Sequence, residues 1–196
     1  MGEEIKYSHF NKADYQQFLS QLKEETLLLK AWFEEQKFSN SPLMAGYELE
    51  AWLINATGKP EPINKSFLEK ADNTLLSPEL AKFNIELNVD PENLSNKVLS
   101  VFEEKLNSLW KQCSNTAQSL DTNILGIGIL PTLQDNVLTL DNISLLDRYK
   151  ALNEQVLRHR NGVEIKLHIN GDEHLQLSHS DVMLEAAATS LQIHTQ

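Results

Sequence analysis

Two stretches of the chain, residues 46–54 and 80–89, alternate between hydrophobic and polar residues. Because successive side chains of a strand point to opposite faces of a sheet, this period of two predicts two β-strands. One side of each strand is apolar and would face a core. The other side carries carboxylate and amide groups, from Glu48, Glu50, Glu86 and Asn88. The two strands therefore predict a sheet with one apolar and one acidic face.

Hydrophobic residues recur every three or four positions in four longer stretches, which predicts amphipathic helices. We expect them at residues 12–37, at 65–72, from Ser95 or Asn96 to about Leu120, and from Asp141 or Asn142 to about Leu157. A shorter helix should follow Ser180-Asp181, because either side chain can cap it. These helices would cover the apolar face of the sheet.

Three further segments have strand character. Residues 123–130 form an apolar run whose glycines indicate close approach of another backbone or a ligand. Asn170-Gly171, between two alternating runs, predicts a hairpin. Residues 189–196 alternate between polar and apolar side chains, with Gln192 and His194 on the same side. The earlier strand at 80–89 should end before Pro91. The pattern as a whole predicts an α+β fold, a mainly antiparallel sheet covered on one face by helices, with the acidic face open.

Composition narrows the class of protein. The 196 residues are 41% hydrophobic, which is enough for one sizeable core or for a domain with an appended helical arm. A formal charge of −11, from 17 basic and 28 acidic residues, argues against a nucleic-acid partner. The single cysteine, Cys113, excludes an internal disulfide and is expected to pack within a helix. Without a membrane-length apolar run or a signal-peptide pattern, we expect a cytoplasmic protein with no membrane partner.

The acidic face is the candidate site. Two carboxylates two residues apart on a strand lie roughly 7 Å from each other, a separation that suits two metal ions or one metal and a substrate cation. Three strands would contribute to this site, with the carboxylates of Glu48, Glu50 and Glu86 and the imidazole of His194. These groups could share divalent metals. The alternatives are a solvated sheet face for the acids, a backbone-bonded histidine for His194, and a solvated helix face for Arg148, Arg158 and Arg160.

Several short motifs resemble, in the same order, those of glutamate-cysteine ligases and related carboxylate-amine ligases. In that family two acidic strands, a basic helix and a histidine strand follow one another. The corresponding residues here are Gly46-Tyr47-Glu48-Leu49-Glu50, Gly58-Lys59-Pro60-Glu61, residues 79–91 with acids seven apart at Glu79 and Glu86, Arg148-Tyr149-Lys150-Ala151-Leu152, and Ser190-Leu191-Gln192-Ile193-His194. The resemblance covers most of residues 46–196.

The resemblance implies half of a glutamine-synthetase-like catalytic domain at residues 41–196, preceded by a helical segment at 1–40. It implies ATP and Mg²⁺ or Mn²⁺ as cofactors, with glutamate and an amino-acid amine such as cysteine as substrates, as in glutathione biosynthesis. Arg148 would contact substrate or phosphate, and the metals would be held by Glu48, Glu50, Glu79, Glu86 and His194. Strand phase adds Asn88 and Gln192 as cofactor-binding candidates. Because chains of that family continue further, we expect residues 1–196 alone to be inactive.

Two other functions remain open at this point. The chain could be a binding or interaction module derived from such a ligase, which metal binding without ATP hydrolysis would favour. It could also be a metal-dependent hydrolase that uses the same acids around a bound water, which phosphate release without any amine would favour. Neither explains the ordered motifs as well as the ligase does.

Overall fold

The computed structural model describes residues 3–38, 42–95 and 97–196. The strands are β1 (Met44–Ile54), β2 (Leu76–Pro78), β3 (Asn84–Asn93), β4 (Asn123–Leu125), β5 (Ile165–Asn170), β6 (His174–His179) and β7 (Leu191–Thr195). The helices are α1 (Lys12–Glu34), α2 (Asn64–Ala71), α3 (Val98–Gln118) and α4 (Asp147–His159). Short 3₁₀ turns occupy Asp135–Val137, Leu140–Asn142 and Val182–Ala187.

Strand β1 is the centre of the main sheet. It pairs with β3 along one edge, and with β4 and then β7 along the other, while β2 lies outside β3. Every strand pair in the described part of the chain is antiparallel, and β5 and β6 form a separate hairpin. The predicted α+β class with a mainly antiparallel sheet is therefore confirmed, and so is the hairpin, whose turn has three residues, Gly171 to Glu173.

Helices α2 and α3 cover one face of the sheet. Leu53, Ile85 and Leu87 point from the strands into this layer, where they pack with Phe67 of α2 and Leu109 of α3. Complete burial of one such side chain stabilises the fold by about 1.5–3 kcal/mol. Cys113 lies fully buried in the same cluster, so its predicted packing role is confirmed.

The other face of the sheet is covered only at one end. There Trp52 stacks on Phe83, with ring centroids 5.5 Å apart and planes 4° from parallel. Tyr149 of α4 and Met183 of the Val182–Ala187 turn pack over this end. The Trp52 Nε1 donates a hydrogen bond to the Ile127 carbonyl at 3.0 Å. The remainder of this face carries the polar side chains described below, so the covered end forms a wall beside them.

Helix α1 begins as predicted and ends three residues earlier than predicted. Asn11 and Asp14 form a capping box at its first turn. None of its residues is buried, although it is amphipathic. Tyr15 anchors it to α4 through Gln155 and through Arg158, whose guanidinium carbon lies 4.2 Å from the ring centroid. The proposed domain boundary between residues 40 and 41 lies outside the described residues and stays a prediction.

The second strand differs from its prediction at both ends. Residues 80–83 are not strand, because Lys82 bonds outside the sheet: its N–H donates to Asn142 O in a 3₁₀ turn, and its carbonyl accepts from Asn64 N at the start of α2. The strand also continues through Pro91, which was expected to end it. The register between β1 and β3 shifts between Ala45 and Tyr47, and Pro91 lies at this irregularity. A bulge is one of the few places where a sheet tolerates a proline.

Three other predicted boundaries were wrong. Strand β4 stops at Leu125, because the carbonyl of Gly128 bonds to Thr189 N instead of to a neighbouring strand. Helix α4 starts at Asp147, not at Asp141 or Asn142, since the latter two form a separate 3₁₀ turn. Helix α3 starts at Val98, and the alternative start at Asn96 lies outside the described residues.

At the C-terminal end the prediction is confirmed in outline. The Asp181 side chain caps the following turn by accepting a hydrogen bond from Met183 N at 3.0 Å, and strand β7 follows that turn. None of the helices in the described part of the chain is both long and apolar enough to cross a membrane.

Candidate functional site

The structure brings the predicted polar residues onto the same face of the sheet. Cross-strand pairing places Glu50 opposite Glu86, and Glu48 between Asn88 and Gln192. His194 pairs with Gly46 one step further along β7. Glu79 reaches this face from the loop between β2 and β3, and Arg148 lies at its margin on α4. Strand phase alone therefore predicted the side of the sheet on which six of the eight candidates lie.

Glu50 is held in place by the start of β7. Its carboxylate accepts hydrogen bonds from Ser190 N at 2.8 Å, from Ser190 Oγ at 3.1 Å and from Gln192 Nε2 at 3.1 Å. The Glu50 backbone N–H also donates to the Ser190 carbonyl at 2.9 Å. These bonds fix the carboxylate at the edge of the covered end of the sheet. They also give Gln192 a positioning role.

Glu86 and Glu79 form a carboxyl pair beside Glu50. Glu86 is only 6% exposed, and its Oε1 accepts from Ser77 Oγ and Asn88 Nδ2, both at 2.8 Å. Burial, reinforced by the hydrogen bond to Glu86 and by the charge of Glu50, raises the pKa of Glu79 to about 8. The Leu80 N–H opposes this shift by donating to Glu79 at 3.1 Å. Glu79 therefore keeps its proton at neutral pH and shares it with Glu86.

Tyr149 covers the carboxyl pair and was missed by the sequence analysis, which counted it as an apolar helix residue. Its hydroxyl donates to Pro78 O at 2.9 Å and accepts from Arg148 Nη2 at 3.0 Å. The guanidinium carbon of Arg148 lies 4.8 Å from the Tyr149 ring centroid. Burial, and then the nearby charge of Glu79, raises the pKa of Tyr149 to about 12. Tyr149 thus links the cation of Arg148 to the acidic cluster.

Glu48 and His194 form a second group further along the face. The His194 Nε2 lies 3.3 Å from Glu48 Oε2, and the imidazole side chain is 57% exposed while the carboxylate is 15% exposed. A backbone-bonded histidine was the alternative for His194, and the observed partner is a carboxylate instead. The pair therefore presents an imidazole to solvent above a nearly buried acid.

A pocket of about 340 Å³ lies between the carboxyl cluster and α4. Glu50, Glu79 and Tyr149 line it together with Ser190 and Gln192. Asn84 and Glu185, which are absent from the predicted set, also line it. Asn84 is in phase with Glu86 and Asn88 on β3, so the alternation of that strand already carried the signal that would have found it.

The donor set suits a hard divalent cation in its chemistry, because it combines several carboxylates with amide oxygens and one imidazole. Glu79 and Glu86 are joined by a hydrogen bond, and a divalent cation bound to both carboxylates would replace its proton. As the side chains lie, however, no three His, Cys, Asp or Glu groups of the described residues converge on one point that could hold a metal. Binding would therefore require loss of that proton and rotation of these side chains.

Arg158 and Arg160 do not join the site. Arg158 stacks over Tyr15, as described above, and Arg160 donates to the carbonyls of Val163 at 3.1 Å and Glu164 at 2.9 Å. Both arginines contact neighbouring segments, so they are not simply part of a solvated helix face.

Comparison of this chain with family models, with curated proteins and with solved structures found no match.

Proposed function

We propose that the polar sheet face is the nucleotide and metal face of an ATP-dependent carboxylate-amine ligase of the glutamate-cysteine ligase type. The observation that carries this proposal is that Glu50 and Glu79 line one pocket, where Glu79 is hydrogen-bonded to the buried Glu86 and its pKa is raised to about 8. Burial is the main cause of that raised pKa, and the neighbouring Glu86 and Glu50 add to it. A divalent cation bound at these carboxyls would take the place of the proton. The ordered resemblance of the motifs to this ligase family supports the same function.

In the proposed reaction an oxygen of the substrate carboxylate attacks the γ-phosphorus of ATP, and the bond from that phosphorus to the bridging oxygen breaks, which releases ADP. The amine nitrogen of the second substrate then attacks the carbonyl carbon of the acyl phosphate. Phosphate leaves with one of the original carboxylate oxygens, and the amine loses a proton. The products are an amide, ADP and phosphate.

Each group of this chain has a definite part in the proposal. Glu50, Glu79 and Glu86 would hold divalent cations, with Glu50 kept in position by Ser190 and Gln192. When bound, these cations screen the repulsion between the substrate carboxylate and the triphosphate. Glu79 must give up its proton before it can bind a cation, so cation binding and proton release are coupled.

Arg148 places a positive charge next to Tyr149, which lines this pocket. Its guanidinium is anchored on Tyr149, which is itself fixed to the carbonyl of Pro78. A guanidinium makes strong charge-assisted hydrogen bonds to phosphoryl oxygens, and it remains charged at all working pH values. We therefore assign Arg148 to the transferring phosphoryl group, with Tyr149 as its positioning residue.

A coupled assay of ADP release tests the proposal on the longest natural chain that contains these residues, with ATP, Mg²⁺, glutamate and a panel of amino acids. ADP release should depend on both the carboxylate and the amine substrate. Glu50→Gln should lower turnover at least 100-fold. Its apo stability should fall by only about 1–2 kcal/mol, because one of three hydrogen bonds at this carboxylate is lost.

The matched control is Glu69→Gln on α2, an exposed carboxylate on the covered side of the sheet, which should leave turnover unchanged. Phosphate release that needs no amine would replace the ligase with the metal-dependent hydrolase. Metal binding without any nucleotide hydrolysis would favour the binding module.

A further inference from the structure

Two histidines near the turn of the β5–β6 hairpin bring their ring nitrogens together. In the register of these strands Asn170 pairs with His174, and His168 pairs with Gln176. His168 and His174 are therefore diagonal neighbours on the same face of the hairpin, a separation that long side chains can bridge. Their Nε2 atoms lie 3.2 Å apart, and the ring planes are 78° from parallel. Both side chains are exposed, so an ion in solution can reach them.

This contact differs from those of three other histidines, which lie beside carboxylates. Those three are His9, His179 and His194, with Glu154, Asp135 and Glu48 as their partners. Neither histidine of the hairpin forms an ion pair with any of the described residues. Two imidazoles that faced each other as cations would repel, so this pair calls for a shared hydrogen or a shared metal ion.

The hydrogen bonds indicate which nitrogens have a free lone pair. The Nδ1 atom of His174 faces the Asn170 Oδ1, which can only accept a hydrogen bond. The neutral His174 ring therefore carries its hydrogen on Nδ1 and presents a lone pair at Nε2. Metal-binding histidines are commonly held by such a bond from the second ring nitrogen, which fixes the ring and its tautomer. Asn170 thus prepares His174 to bind a metal through Nε2.

We propose that His168 and His174 bind one Zn²⁺ ion between their Nε2 atoms, and that this ion ties the two strands of the hairpin together beside the turn. Tetrahedral zinc, with Zn–N bonds of about 2.0–2.1 Å, holds two ligand nitrogens about 3.3–3.4 Å apart. The observed 3.2 Å is close to this separation. A square-planar ion with the same bond lengths would need about 2.8–3.0 Å, which fits less well.

The chemistry of the two ligands favours zinc over the cations proposed for the polar sheet face. Imidazole nitrogen suits Zn²⁺, whereas Mg²⁺ prefers oxygen ligands. On binding, zinc replaces the hydrogen between the two Nε2 atoms, and His168 keeps its ring hydrogen on Nδ1. Because the protein supplies two of four ligands, water completes the coordination, and we expect a Kd in the micromolar range. The site is independent of the proposed ligase.

The hairpin has a reason to need such a tie at its turn. Within the described residues β5 and β6 pair only with each other, and an isolated two-stranded hairpin is marginally stable. Ile165, at the far end, packs against the core. Near the turn, Ile169 is 50% exposed and Leu175 is 43% exposed, so the core does not hold this end. A metal bridge between the strands would stabilise the end that packing leaves free.

Hydrogen exchange measured by mass spectrometry tests the site, because it reports on the hairpin alone. The longest natural chain, expressed without an affinity tag, is titrated with Zn²⁺ in excess Mg²⁺, which occupies oxygen-ligand sites. Exchange of the amides in residues 165–179 is followed at each concentration. The variants are His168→Gln and His174→Gln. His159→Gln, an exposed histidine of α4, and His194→Gln, on the polar sheet face, are the matched controls.

Zn²⁺ should slow exchange in the wild-type hairpin, and each hairpin variant should require at least tenfold more Zn²⁺ for the same protection. Both controls should stay within twofold of the wild type. The inference is overturned if Zn²⁺ gives the wild-type hairpin no protection, or if either hairpin variant keeps wild-type protection. It is also overturned if His194→Gln removes the protection, since the ion would then act from the polar sheet face.

Discussion

Replacing Glu79 by glutamine should change how the stability of the protein depends on pH. In the native state the pKa of Glu79 is raised from its ordinary value of 4.5 to about 8, first because it is buried and then because of Glu86 and Glu50. The native state therefore binds more protons than the unfolded state between these two values. Linkage then requires the free energy of unfolding to fall as pH rises from about 5 to 8.

The size of the effect follows from the slope of the unfolding free energy against pH. One proton taken up on folding changes the free energy of unfolding by about 1.36 kcal/mol per pH unit. Over three pH units the limit is roughly 4 kcal/mol, and we expect about 2–4 kcal/mol, because Glu79 is not completely buried and water screens part of the effect. Glutamine at this position donates its amide N–H to Glu86 at every pH, so the variant lacks this dependence.

Urea unfolding followed by circular dichroism at pH 5, 6, 7 and 8 measures the effect. The unfolding free energy of Glu79→Gln minus that of the wild type should rise by about 2–4 kcal/mol between pH 5 and pH 8. Groups that titrate in both proteins cancel in this difference. Glu69→Gln, which removes an exposed carboxylate of α2, should give a flat difference. A flat difference for Glu79→Gln as well would show that Glu79 ionises normally and would refute the carboxyl pair.

Three further predictions concern the core, the thiol and cation binding. Leu109→Ala should lower the free energy of unfolding by about 3 kcal/mol, because Leu109 is buried. Leu22→Ala on exposed α1 should change it by less than about 0.5 kcal/mol. Equal losses in urea titrations would place α1 in the core. Burial raises the pKa of Cys113 to about 12, so the native thiol should resist Ellman's reagent at pH 8 and react only after urea unfolding, and rapid native labelling would contradict that burial. Mn²⁺ should raise the Tm of the wild type more than that of Glu50→Gln, and equal shifts would remove Glu50 from the cation site.

The alternation of residues 46–54 was sufficient to predict both the strand and the side from which its acids project. This worked because a strand with one buried face fixes its own register. The same logic failed at residues 80–83, where Lys82 bonds to the 3₁₀ turn at Leu140–Asn142, about 60 residues later in the chain. It also failed at Pro91, because only the tertiary bulge at Gly46 makes a proline acceptable there.

The sequence predicted where the site lies, but not the protonation and the hydrogen bonds of its side chains. The proton on Glu79 depends on burial under α4 and on Glu86 from another strand, neither of which a local pattern can show. Tyr149 was assigned to an apolar helix face, and that face does pack against the Trp52 end of the sheet. Its hydroxyl nevertheless reaches Pro78 and Arg148 at the margin of the site. Side chains with an apolar body and a polar tip can serve both environments at once.

The most direct test of the proposed ligase is transfer of an oxygen isotope from the carboxylate substrate to phosphate. The longest natural chain containing these residues is incubated with ATP, Mg²⁺, an amino-acid amine and glutamate labelled with ¹⁸O in its side-chain carboxylate, and the released phosphate is examined by mass spectrometry. Carboxylate activation predicts one ¹⁸O atom in each phosphate released, and loss of this label in Glu50→Gln together with turnover. Phosphate that carries oxygen from water instead would contradict the ligase and identify hydrolysis.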